Sequence, residues 1–215
     1  MKYYSKNPEF ELINPGFDTK IEMMDIDSLT LASQLDNPCI LNFASHKRPG
    51  GGYECVKNLK MILKTQEEDL FRRSNLPELM DNKVVREHYP LKGLNAIYCM
   101  ATANKDKLLE PITPFNFGVI TMPAIVNPQD YEYNGLVKDK IDVIFGIAVE
   151  NKHSNLILGA WGCGVFNNDP RKIVELFLDK ALGMPGFFER IIFAIPNKDS
   201  ENHKIFKKAI ENANN

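Results

Sequence analysis

Short apolar runs alternate along this 215-residue chain with segments of helical periodicity. That alternation limits the fold more than any other feature. Ile21–Met24, Cys39–Ala44, Ala96–Met100, Gly118–Met122, Leu156–Ala160 and Ile191–Ile195 read as strands, and Phe10–Ile13 reads as a further one. Leu136–Glu150 places Ile141, Ile144, Phe145 and Ala148 on one helical face. Pro170 suits the first position of a helix over Pro170–Leu182, with Gly183 just past its end. Ser28–Leu35, capped by Asp27 or Ser28, and His203–Ala213 read as helices too. The expected fold is an α/β sandwich, with helices on both faces of a largely parallel or mixed sheet. Ligands in such sheets bind beyond the carboxyl ends of the strands.

No repeat or linker divides the sequence, so residues 1–215 are expected to form one domain. The 26 basic and 28 acidic side chains nearly cancel, which argues against general nucleic-acid binding. Cys39, Cys55, Cys99 and Cys163 are scattered without metal-ligand spacing and read as reduced thiols. The amino-terminal Met-Lys-Tyr-Tyr-Ser-Lys has no apolar signal core, and no apolar stretch is long enough for a membrane. An intracellular soluble protein, cytoplasmic or nuclear, is the expectation.

Three segments carry chemistry. Asn42-Phe-Ala-Ser-His-Lys-Arg-Pro-Gly-Gly-Gly52 leaves a strand and ends in three glycines, whose backbone can approach a ligand closely or simply make a turn. His46 reads as a loop residue. Thr65-Gln-Glu-Glu68 supplies two carboxylates, and Thr-x-x-Glu is equally the pattern of a capping box, with Glu68 reaching back to the Thr65 amide. Consecutive glutamates on a helix diverge by about 100°, so one of them does any proton work and the other positions substrate. Gly159-Ala-Trp-Gly-Cys-Gly-Val-Phe-Asn-Asn-Asp169 joins a strand to a helix, and its glycines expose successive amides as a phosphate nest. Phe166 lies against a ribose or base, or belongs to the core. Cys163 reads as a small buried thiol rather than a nucleophile. Lys47, Arg48, Arg72 and Arg73 read as solvated charge or as contacts to phosphates.

Taken together, "LNFASHKRPGGG…QEEDLFRRSNL", "FGVITMPA" and "LILGAWGCGVFNNDP" resemble the microbial-type poly(ADP-ribose) glycohydrolases, a branch of the macrodomain superfamily. The resemblance implies a macrodomain-like three-layer α/β/α sandwich with a mixed central sheet. It implies Glu68 as the catalytic acid and Glu67 as its ribose-positioning neighbour. Asn42, Gly50, Gly51, Gly52 and Gln66 are implied to bind substrate on one side. Gly162, Cys163, Gly164, Val165 and Phe166 are implied as the diphosphate loop. No metal or cofactor is implied. The implied substrate is poly(ADP-ribose) or an ADP-ribosylated macromolecule, the product is ADP-ribose, and the chain is expected to act as a monomer away from membranes.

One stretch departs from the family pattern. Thirteen residues, Tyr53 to Thr65, separate the glycines from the glutamates, roughly twice the family's usual spacer. Val56, Leu59, Leu63, Gln66 and Leu70 fit a helical stripe, so the insert either extends the catalytic helix backward or bulges out as a loop. The long spacer also suggests the alternative of a non-catalytic ADP-ribose reader.

Overall fold

The computed structural model describes residues 1–9, 13–53 and 65–214. Its strands are β1 (Lys2–Tyr4), β2 (Lys20–Met24), β3 (Pro38–Phe43), β4 (Ala96–Lys105), β5 (Pro111–Met122), β6 (Asn155–Leu158) and β7 (Arg190–Ala194). They form one mixed sheet in the order β1-β4-β5-β3-β6-β7-β2. From β5 to β2 the neighbours are parallel, while β4 runs antiparallel to both β5 and β1.

Period-two alternation in the central strands explains the layers. Cys39 and Leu41 on β3, Leu156 and Leu158 on β6, and Ile191 and Phe193 on β7 point into one core. Ile40, Ile157 and Ile192, between them, point into the other. The first core is closed by α6 (Lys138–Glu150), α7 (Pro170–Leu182) and α8 (Glu201–Ala213) through Ile144, Phe145, Phe177 and Phe206. The second is closed by α1 (Ser28–Ala32), α2 (Gln66–Arg73), α3 (Leu76–Met80) and α4 (Lys83–Arg86) through Leu29, Leu70, Phe71, Met80 and Val85. The result is the expected three-layer α/β/α arrangement around a mixed sheet.

Several boundaries differ from the sequence expectation for physical reasons. The helix expected from Leu136 starts earlier, as α5 (Asp130–Glu132) and a π-helical turn over Tyr133–Val137, where Gly135 leaves helical geometry at φ −116 and ψ −110. Strands β4 and β5 run well past their apolar halves into a half-exposed hairpin, where cross-strand pairing rather than burial holds them. The strand expected over Phe10–Ile13 lies mostly outside the described residues, and Ile13 itself is exposed and in no strand. The short helices α3 and α4 and the edge strand β1 had no periodic signal to announce them.

Arg73 is not a surface charge. Its guanidinium is buried and donates to Asp27 Oδ1 at 2.8 Å, Asp69 Oδ2 at 2.7 Å and Thr30 Oγ1 at 3.0 Å, tying α2 to α1. Burial opposes the charge on Asp27, but Thr30 and Arg73 outweigh it and hold that carboxyl down to about 2. Removing one partner of such a network strands a charge in low dielectric. Arg73→Ala should therefore lower the unfolding free energy in urea by about 3 kcal/mol, the low end for a buried pair because Asp69 keeps contact with water. A loss below about 1 kcal/mol, the worth of a surface ion pair, would mean that the network is idle.

Candidate active site

The site begins where β3 ends. Gln66, the first residue of α2, spends its amide on that strand end: Oε1 accepts from the Phe43 amide at 2.9 Å, and Nε2 donates to the Leu41 carbonyl at 2.8 Å and to Ser28 Oγ at 3.2 Å. This fixes the rotation of α2 and hence the direction of the two glutamates that follow.

Both glutamates are buried and both turn to the loop after β3. Glu67 accepts from the Ser45 amide at 2.7 Å, the Gly50 amide at 3.2 Å and Asn42 Nδ2 at 3.3 Å. Glu68 accepts from the Gly52 amide at 3.1 Å through Oε1, and its Oε2 is buried with no hydrogen-bond partner among the described residues. The capping box expected from the sequence is only half made. Thr65 Oγ1 accepts from the Glu68 amide at a long 3.4 Å, and the Glu68 carboxylate faces Gly52 instead of the Thr65 amide. Thr65 is extended, at φ −82 and ψ 152, so α2 is not continued backward through it, and residues 54–64 lie outside the described residues.

Glycine is required here by space as well as by backbone angle. Gly50 and Gly51 sit at φ +70 and +55. A Cβ on Gly50 would fall 2.4 Å from Tyr53 Cδ1 and 2.6 Å from Phe71 Cδ1. One on Gly51 would stand 3.1 Å from Glu67 Oε2 and 3.8 Å from Glu68 Oε1. The loop backbone thus lies directly against the carboxylates.

The second loop leaves β6, the parallel neighbour of β3, and runs to α7. Trp161 is fully buried and donates its indole N–H to the Met122 carbonyl at 2.9 Å. Gly162, at φ +76, leaves no room for a Cβ between Ala124 and Asn168. The buried Asn168 amide donates to the carbonyls of Ile125 at 2.8 Å, Gly162 at 3.2 Å and Phe166 at 3.2 Å, cross-bracing the loop. The amides of Gly164, Val165 and Phe166 donate to no protein acceptor among the described residues, which leaves them available to an anion. Asp169 already caps α7 through the Arg171 amide at 2.9 Å, so the nest rests on loop amides and not on an open helix end. Burial, with Asp169 nearby, pushes the Cys163 thiol up to about 12, far from a reactive thiolate.

The two loops meet. His46 and Phe166 make an edge-to-face contact with ring centroids 5.8 Å apart. Among the described residues, Asn42 Oδ1, His46 Nδ1, Glu68 Oε2 and the Tyr89 hydroxyl are all buried without a protein partner. Burial and then the Glu67 charge push the Tyr89 phenol up. Sequence reading did not single out Ser45, Tyr89, Thr121 or Asn168. Their polarity signals nothing until the fold gives them neighbours: Thr121 Oγ1, for one, accepts from Asn42 Nδ2 at 3.3 Å. Among the described residues no group of three or more His, Cys, Asp or Glu side chains is gathered as a metal ion would need. No helix among them is long and apolar enough to cross a membrane.

Comparison with known proteins agrees with this arrangement. The family model described as the catalytic domain of microbial-type PARG matches residues 1–103. Among solved structures, poly(ADP-ribose) glycohydrolase from Deinococcus radiodurans in complex with ADP-ribose is similar at 27% identity and a TM-score of 0.77, over 93% of this chain and 87% of that one. Poly(ADP-ribose) glycohydrolase from Thermomonospora curvata, bound to the inhibitor ADP-HPD, is similar at 28% identity and a TM-score of 0.76, over 88% and 78%. No curated protein matches the sequence.

Glu67 carries the electrostatic signature of the site. Burial pushes its carboxyl up from 4.5 to about 7, against the pull of its donors. The folded chain therefore favours the neutral acid. The resulting stability is complete below 4.5, where the unfolded chain is also protonated, and is lost as the pH climbs through about 7. The swing amounts to about 3 kcal/mol. Urea unfolding of the unmodified protein should accordingly lose about that much stability between roughly pH 4.5 and pH 8, relative to Glu67→Gln, which has nothing to ionise there. Parallel pH profiles for the two proteins would refute the assignment.

Proposed function

We propose that the chain is a microbial-type poly(ADP-ribose) glycohydrolase, and that it hydrolyses the ribose–ribose O-glycosidic bonds of poly(ADP-ribose) and releases ADP-ribose; the family model over residues 1–103 and the likeness to two such solved enzymes support this reading. The observation that carries the reading is the free, buried Glu68 Oε2 beside a glycine loop that the other carboxylate has already fixed.

The leaving group is a sugar hydroxyl, too basic to depart unprotonated, so a carboxylic acid must meet it. Glu68 gives its proton to that oxygen as the glycosidic bond breaks and positive charge develops on the distal ribose. Water then attacks the anomeric carbon, and its proton returns to Glu68. Glu67 and Asn42 position the distal ribose against the backbone of Gly50, Gly51 and Gly52. The amides of the Gly162–Phe166 loop hold the pyrophosphate, and the Phe166 ring packs on the ribose. Gln66 has its amide committed to β3, so its part is to orient α2 rather than to touch sugar.

A non-catalytic reader is the weaker reading. Thr65 caps α2 and Glu68 faces the glycines, as turnover requires. We place the protein inside the cell as a monomer. The free thiols of Cys39, Cys99 and Cys163 among the described residues support that placement, since they suit a reducing compartment.

Glu68→Gln should lower ADP-ribose release from the polymer by at least about a hundredfold while ADP-ribose affinity, by calorimetry, stays within a few-fold. Full activity in that variant would remove Glu68 from the mechanism. Binding of ADP-ribose by the unmodified protein without any turnover of polymer would select the reader.

A further inference from the structure

The His46–Phe166 contact has no part in the hydrolysis just described, and it crosses the site. His46 lies between Ser45, whose amide holds Glu67, and the three glycines. Phe166 lies at the end of the anion nest. The backbone at each ring is anchored away from the other loop. The Leu91 amide donates to the His46 carbonyl at 2.9 Å, and the Asn127 amide donates to the Phe166 carbonyl at 2.8 Å. No backbone hydrogen bond joins residues 44–53 to residues 159–169 among the described residues. The rings themselves supply the tie, at 5.8 Å between centroids and 67° between planes.

Adjacent parallel strands β3 and β6 deliver these two loops, so the pair of rings stands at the strand ends, where ligands of such sheets bind. We propose, resting on the ADP-ribose reading above, that His46 and Phe166 form a strap over the bound ADP-ribose and that His46 thereby sets how fast the ligand leaves. A ligand gripped at its pyrophosphate on one side and facing Glu68 on the other cannot depart sideways until the rings part. The imidazole also brings a buried, unbonded Nδ1 to this crossing, where a polar ligand atom satisfies it. His46 is a positioning residue in this scheme, because it holds the ligand in place through its contact with Phe166 and through Nδ1 and touches no reacting atom. The rings can separate by side-chain rotation alone, with both backbones still anchored.

The strap is tested on the rate of ADP-ribose dissociation, measured by stopped flow with the unmodified protein, His46→Ala and His46→Phe. An aromatic pair of this kind corresponds to about a two- to tenfold change in rate. His46→Ala should release ADP-ribose faster by that factor, and His46→Phe, which keeps a ring against Phe166, should return to within about twofold of the original. The melting temperature of each variant separates loss of the strap from loss of the fold. If His46→Ala does not fold, His46→Leu replaces it with the same expectation. Release unchanged in His46→Ala, or equally fast in His46→Ala and His46→Phe, overturns the strap while leaving the hydrolase reading intact. Failure of the unmodified protein to bind ADP-ribose at all overturns both.

Discussion

Two carboxylates in the first turn of α2 hold a loop that would otherwise have no preferred shape. Three consecutive glycines lose more conformational freedom on folding than any other residues, so some interaction must compensate for ordering them. Glu67 does so by accepting the Ser45 and Gly50 amides, and Glu68 by accepting that of Gly52. The exchange works in both directions. The loop amides satisfy buried acceptors that would be costly if left bare, and the carboxylates fix the left-handed turn at Gly50 and Gly51. What remains unspent is one oxygen of Glu68. The chemistry proposed for this protein is what that unspent oxygen can do.

Everything else in the site follows from where the sheet delivers the chain. Because β3 and β6 are parallel neighbours, the loop with the glycines and the loop with the nest emerge side by side at one rim. Each loop is then braced from within, the first by Gln66 and Glu67, the second by Trp161 and Asn168. Bracing of this sort fixes groups before a ligand arrives, which keeps the ordering cost out of the binding step. Glu67 has a second consequence. Burial raises the proton affinity of its carboxyl toward neutrality, against the pull of the amides it accepts from, so the scaffold of the site is itself sensitive to pH.

Much of this was legible in the chain. The alternation of apolar runs and helical stripes gave the layers, and Pro170 and Gly183 marked both ends of α7 correctly. The strands after which the loops emerge were visible as Cys39–Ala44 and Leu156–Ala160, which in the structure start one residue earlier and stop one and two residues sooner. Other features were misleading or silent. Thr65 to Glu68 spells a capping box, yet Glu68 turns to Gly52, because a tertiary amide outcompetes the local one. Arg73 spells a surface helix charge, yet α1 covers it and supplies Asp27 and Thr30. His46 carries no local signal at all, since its partner lies 120 positions away in Phe166.

By itself, the sequence determined which elements form and which residues are chemically able to act, because apolar period, glycine, proline and carboxyl groups are properties of single positions and their near neighbours. The tertiary structure alone decided which carboxylate keeps an uncommitted oxygen, which polar groups are buried, and which rings touch across the rim. Those outcomes depend on distances between residues far apart in the chain. They depend also on the loss of water around them, and neither quantity exists until the sheet has assembled.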